Sequence, residues 1–143
     1  MPPAYDIRPY QPTDQVQLID LWQQCGLLVP WNDPAKDIAR KLKVNPELFL
    51  VVLDGQELIG SVMGGYDGHR GWLNFLAVHP KHQFKGIGRA LVLRVEALLR
   101  ELGCPKLNLQ IRSANTQVSA FYRALGYGDD QVIGLGKRLI QDD

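Results

Sequence analysis

The densest chemical signal in the chain is Gln83-Phe84-Lys85-Gly86-Ile87-Gly88-Arg89, which follows the apolar run Leu76-Ala77-Val78 and the link His79-Pro80-Lys81-His82. Two glycines one residue apart, placed where a strand-like run gives way to a helical pattern, let the backbone approach a ligand closely. The first turn of a helix leaves amide N–H groups without intrahelical acceptors, and the helix dipole adds partial positive charge there. The spacing therefore points to a cradle for a phosphate or pyrophosphate, and so to a phosphate-bearing cofactor. A second cluster is Asn115-x4-Ala120-Phe121-Tyr122-x3-Gly126-Tyr127. On a helix, Asn115, Ser119 and Tyr122 share one face, whereas Val118, Phe121 and Leu125 form another suited to a core. The pattern turns the first three away from the apolar stripe. A phenol of ordinary pKa near ~10 keeps its proton at neutral pH and can donate it.

The elements that would position these residues follow from periodicity. Tyr5 to Tyr10 reads as a short strand. Thr13 or Asp14 can cap a first helix carrying Leu18, Leu21, Trp22 and Cys25 on one face, and Gly26 ends it. Asp33-Pro34 opens a second helix with Ile38 and Leu42. Leu48 to Leu53 is a continuous apolar strand, and Asp54-Gly55 signals a tight hairpin into Leu58 to Gly65. Trp72 to Val78 is a fourth strand. The helix after Gly86 ends at Gly103, and Leu107, Leu109 and Ile111 alternate with polar residues as a half-buried strand should. A last helix spans about Asn115 to Leu125, and Val132 to Ile140 supplies one or two closing strands. This order predicts one mixed α/β (α+β) domain over residues 1–143, with a central sheet of six to seven strands and about four helices.

Composition narrows the function classes. The chain has 143 residues, 45% of them hydrophobic and 22% charged, with a formal net charge of +1. That balance suits a globular domain and gives no reason to expect nucleic acid or an acidic membrane as partner. No run approaches the ~20 apolar residues of a membrane helix. Residues 1–6 show no basic region leading into an apolar segment, so no signal peptide is expected and the expected location is cytoplasmic. Cys25 and Cys104 lack Cys-x-x-Cys spacing and read as buried, reduced thiols. No metal site is expected.

The strand Leu76–Val78 before His79-Pro80, the Gln83-x-x-Gly86-x-Gly88 loop, and the Asn115…Phe121-Tyr122…Gly126-Tyr127 helix together resemble the Gcn5-related N-acetyltransferase (GNAT) family, whose element order matches over nearly the whole chain. Further stretches, Pro30 to Pro34, Gly64 to Gly71 and Leu135 to Ile140, are similar to one bacterial subfamily of it. The resemblance implies acetyl-CoA as cosubstrate. The backbone of Gln83, Phe84, Lys85, Gly86, Ile87, Gly88 and Arg89 would bind its pyrophosphate, and the edge of Leu76, Ala77 and Val78 would pair with the pantetheine amides. It also implies that Asn115 holds the pantetheine arm and that Tyr122 protonates the departing thiolate. The acceptor would be a small-molecule or peptide amine that attacks directly, with the oxyanion stabilised by a backbone N–H near Val78. A monomer or a homodimer fits the resemblance equally.

The chain departs from its relatives at Gln110, five residues before Asn115, where protein N-terminal acetyltransferases carry a glutamate base. The fourth strand offers only Asn74, which leaves Asp67, His69 and Glu57 as weak base candidates. At pH 7 a lysine amine is neutral about 0.04% of the time and an α-amine about 14%. A missing base therefore favours an acceptor of low pKa, or proton loss through water. By analogy Leu28, Pro30 and Trp31 would line the acceptor cleft, with Asp33, Asp67 or Arg70 to orient charge. Two alternatives stand beside this reading: a non-catalytic acetyl-CoA-binding sensor, and a dinucleotide-binding fragment. The second is disfavoured because the loop is not Gly-x-Gly-x-x-Gly.

Overall fold

The computed structural model describes residues 5–142; the amino-terminal residues 1–4, read above for a leader, lie outside them. Strands β1 (Tyr5–Pro9), β2 (Phe49–Asp54), β3 (Glu57–Tyr66), β4 (Gly71–Val78) and β5 (Leu107–Leu109) form one sheet in that order. Neighbours are antiparallel as far as β4, and β4–β5 is parallel. Parallel pairing needs a crossover, which α3 (Ile87–Glu101) supplies. Helices α1 (Gln15–Gln24) and α2 (Pro34–Lys41) precede β2, and α4 (Thr116–Ala124) follows β5.

The apolar run of β2 is continuous because both faces of the sheet are covered. Leu50 and Val52 join Leu91, Val92, Val95 and Leu99 of α3 in one buried cluster. Phe49 and Val51 join Leu18, Leu21 and Trp22 of α1 and Ile38 of α2 in the other. Helices as short as α1 and α2 are marginal alone, so burial at about 1.5–3 kcal/mol per large side chain, rather than propensity, holds them. Close approach on the α3 side needs a glycine: a methyl group at Gly64 would lie 2.8 Å from Val95 Cγ1.

The mixed α/β architecture and four helices match expectation, but the sheet has five strands rather than six or seven. The closing strands over Val132 to Ile140 are not formed, and residues 128–142 carry neither helix nor strand. Gly134 and Gly136 interrupt the apolar run, and Gln131 takes a φ of 58°, outside the strand region. Ion pairs hold the segment instead of a ladder: Lys106–Asp130 at 2.8 Å and Arg40–Asp142 at 2.7 Å tie it to the body, and Arg138–Asp142 at 3.0 Å braces it internally. Its apolar side chains Val132, Ile133, Leu135 and Leu139 stand 77% to 93% exposed.

Asp33 caps α2 as expected, accepting from Ala35 N at 2.9 Å and Lys36 N at 3.3 Å. Asp14 does not cap α1 with its side chain. Its buried carboxylate accepts two bonds from Arg8, at 2.7 and 2.9 Å, and one from Gln11 N at 2.8 Å. The Arg8 guanidinium holds this carboxyl below its ordinary range. A depressed native pKa contributes stability that is present above the unfolded value near ~3.9 and is lost as pH falls through the native one. Urea unfolding is therefore expected to show a loss of stability below about pH 4 that Asp14→Asn partly flattens, at a cost of about 2 kcal/mol at neutral pH. Parallel pH curves for the two proteins would contradict it.

Candidate active site

The site begins where two strands part. β4 pairs with β5 only from Gly71 to Leu73, opposite Leu107 to Leu109. The β3–β4 register slips there: Met63 faces Asn74, but Ser61 faces Ala77, so β4 holds one extra residue. Phe75, inside this bulge, has a left-handed φ of 53°. A bulge bends its strand and strengthens the local twist, which carries residues 76–78 out of reach of β5. His79 N donates to Ile59 O at 2.8 Å toward β3, so strand alternation points the N–H and C=O of Val78 into the gap. Gln83 Nε2 at 3.2 Å and Cys25 Sγ at 3.3 Å donate to that carbonyl. The side chain of Ala77 is buried on the α1 side and that of Leu76 packs on the α3 side, so only backbone is available for binding.

The glycine loop lies just beyond. Phe84 and Gly86 have φ of 63° and 83°, and Gly86 precedes α3 without a side-chain cap. Among the described residues, the amides of Phe84, Lys85, Gly86, Ile87, Gly88 and Arg89 donate to no protein acceptor. Phe84 is 89% exposed, whereas Ile87 is buried and anchors the turn to the core. Backbone dipoles converging without a negative partner suit an anion. A methyl group at Gly88 would meet Phe121 Cζ at 3.3 Å and Val78 Cγ2 at 3.7 Å, so loop, open strand edge and α4 abut at this glycine.

Asn115 caps α4, its Oδ1 accepting from Val118 N at 3.2 Å, which leaves its amide nitrogen available. Asn115, Ser119 and Tyr122 line an open cleft of about 1490 Å³ between β4, β5 and α4, larger than the roughly 300–1,000 Å³ of most small-molecule sites. The expectation that Tyr122 turns away from the apolar stripe needs correction. It is 6% exposed and belongs to the core on the α3 side, edge-on to Phe121 at 5.0 Å and to Tyr127 at 5.5 Å. Tyr122 thus belongs to that core and lines the cleft at once. Burial pushes the phenol up to about 12, and its hydroxyl has no protein hydrogen-bond partner among the described residues.

The base candidates fare differently. Asp67 closes its own loop, accepting from His69 N and Arg70 N at 2.7 Å each and from Trp72 Nε1 at 3.3 Å. The backbone bonds from Arg70 and His69 hold it below the usual carboxylate range, which makes it a weak base. Glu57 starts β3 at the β2–β3 hairpin, and Gln110 lines the cleft as an amide. Sequence reasoning missed Glu96, which also lines the cleft and accepts from Tyr127 Oη at 2.7 Å. Burial, and then this bond, push the Tyr127 phenol strongly upward. The signal was available: Val92 and Leu99, four before and three after Glu96, are both core.

On the opposite side of the sheet, Leu28, Val29, Asn32 and Asp37 border a shallow hollow against Phe75. Trp31 neither lines it nor packs into the core, being 55% exposed. Arg138 Nη1 donates to Asn32 Oδ1 at 2.6 Å, tying the carboxy-terminal segment to this loop. Both cysteines are half-buried and unbridged. No group of three or more His, Cys, Asp or Glu side chains able to hold a metal occurs among the described residues, and none of their helices is long and apolar enough to cross a membrane.

A sequence profile of the Acetyltransferase (GNAT) family matches residues 16–127. An acetyltransferase of Sodalis glossinidius (strain morsitans) is 49% identical over 138 residues, 96% of this chain and 97% of the relative. One of Yersinia enterocolitica is 50% identical over 137 residues with the same coverage. Among solved structures, AAC(6')-Iy in complex with the bisubstrate analogue CoA-S-monomethyl-acetylneamine shares the fold at a TM-score of 0.77 and 20% identity, over 94% of this chain and 99% of that one. The ribosomal-protein-S18-alanine N-acetyltransferase from Escherichia coli does so at 0.71 and 23% identity, over 85% and 76%.

Because Gly86 occupies the left-handed region, Gly86→Val is expected to cost about 1–2 kcal/mol in urea unfolding. Its open surroundings leave room for the side chain, so strain alone is measured. Unchanged stability would show that the turn relaxes.

Proposed function

The chain belongs to the acetyltransferase (GNAT) family, and we propose that it transfers the acetyl group of acetyl-CoA to a primary amine, with Tyr122 as general acid. Continuity carries this reading: unpaired amides, an open strand edge and a buried phenol adjoin one another through Gly88 and Phe121.

The amides of Phe84 to Arg89 suit the pyrophosphate. The edge of Leu76, Ala77 and Val78 suits peptide-like pantetheine amides, which it holds as it would another strand. Asn115 uses only its Oδ1 to cap α4, so its amide nitrogen is left to orient the arm. Acetyl-CoA, when bound, supplies the acetyl thioester. The Val78 N–H donates to the oxygen that gains charge as the amine nitrogen bonds to the carbonyl carbon. Tyr122 gives its proton to the sulfur as the carbon–sulfur bond breaks. Burial that raises the phenol also raises the proton affinity of a thiolate in the same pocket, so donor and acceptor shift together. Cys25 is a poor nucleophile: its thiol donates to Val78 O, and burial pushes it up. Direct attack is the simpler course.

The attacking amine must shed a proton without a free carboxylate beside it, since Asp67 and Glu96 are both engaged. Water in the open cleft takes that proton, which favours an acceptor amine of low pKa.

Calorimetry is expected to show uptake of CoA by the wild type. Free-thiol release from acetyl-CoA, with α-amines, polyamines, aminoglycosides and lysine as acceptors, is expected to favour the least basic amine at pH 7. Tyr122→Phe should lower kcat about 100-fold or more while keeping CoA affinity. No CoA uptake removes the proposal; uptake without thiol release from any amine replaces it with a sensor; and an unchanged kcat removes Tyr122 from the chemistry.

A further inference from the structure

We propose that Trp22 and Ser61 are a positioning pair that sets the open edge of β4 for its pantetheine-type ligand; this rests on the acetyl-CoA reading above. Ser61 is 0% exposed and sits on β3 where the register slips. Its hydroxyl accepts from Trp22 Nε1 at 3.0 Å and donates to Phe75 O at 3.1 Å. The Trp22 ring, also fully buried, stacks on the Phe75 ring with centroids 4.2 Å apart and planes at 23°. The pair therefore grips Phe75 twice, by its carbonyl and by its ring.

That grip matters because of where Phe75 sits. A left-handed φ is disfavoured for any residue with a Cβ, so surrounding structure must hold it. Glycine would adopt the same turn freely, but it would leave the strand's direction loosely set. A buried polar pair costs desolvation unless every group is bonded, and here both bonds converge on the bulge. Cys25, three residues beyond Trp22 at the C-terminal cap of α1, reaches Val78 O at 3.3 Å. One helix thus touches β4 at Phe75 and at Val78, immediately before and at the far end of the stretch Leu76–Val78. Neither Trp22 nor Ser61 lines the cleft. They act through Phe75, fixing which way the intervening amides face.

Two probes separate this role from general packing: CoA, and adenosine 3'-phosphate 5'-diphosphate, which keeps the diphosphate and lacks the pantetheine arm. Calorimetry on Ser61→Ala is expected to show CoA bound about tenfold more weakly, with the shorter probe bound as in the wild type. Trp22→Phe keeps an aromatic ring in the core but loses the N–H donor and the second ring of the indole, and should show a smaller weakening, about threefold, with the same selectivity between probes. Should Ser61→Ala fail to fold, Trp22→Phe carries the comparison. Equal weakening of both probes, or weakening of neither, overturns the proposal. Failure of the wild type to bind either probe would count instead against the acetyl-CoA reading.

Discussion

The turn of the backbone at Phe75 governs the rest of the molecule. With a straight β4, the parallel ladder begun at Gly71–Leu107 would run on toward Val78 and satisfy its own amides. The sheet would then close, leaving no unpaired edge beside the glycine loop. Unpaired strand edges are ordinarily hazards that invite foreign strands. Here the edge opens inside the sheet, between β4 and β5, where α3 and α4 flank it. Exposure is confined to a slot, and a ligand that mimics a strand can fill it.

The same economy shows in α3. Its apolar stripe of Leu91, Val92, Val95 and Leu99 builds half the core, while its first turn leaves amides facing outward beside Val78. The rigid packing of the helix therefore fixes these unpaired amides relative to the strand edge. Tyr122 follows similar logic, because a phenol held in the core by aromatic edges has little freedom to stray and little chance of losing its proton to water.

Much of this was legible locally. The Asp33-Pro34 cap, the hairpin at Asp54-Gly55 and the glycines opening α3 depend on neighbours within a few residues, and all three formed where the sequence placed them. The bulge was invisible, because Trp72 to Val78 reads as an ordinary strand with no glycine to mark a kink. The side chain bonded to Phe75 O lies 14 residues away at Ser61, which is itself bonded to Trp22, 39 residues off. Helical spacing grouped Asn115, Ser119 and Tyr122, which do line one cleft, yet it did not place Tyr122 in the core beside Val118 and Phe121, because spacing within a helix says nothing about what that face packs against. Glu96 and Tyr127 meet across 31 residues, again by packing alone. The apolar residues from Val132 to Ile140 suggested strands because composition records hydrophobicity and not whether an edge is within reach.

The interior is split into two separate layers, one on each side of the sheet, and this has an evolutionary consequence. The α3 layer carries the unpaired amides and the Tyr122 phenol, whereas the α1–α2 layer borders the opposite hollow. Descendants of such a chain are free to remodel the second layer, and with it that hollow, while inheriting the first intact. The exceptions are the few side chains through which α1 reaches β4, chiefly Trp22 and Cys25. Drift at those positions would be felt on both sides at once, so diversification of the lineage should run around them.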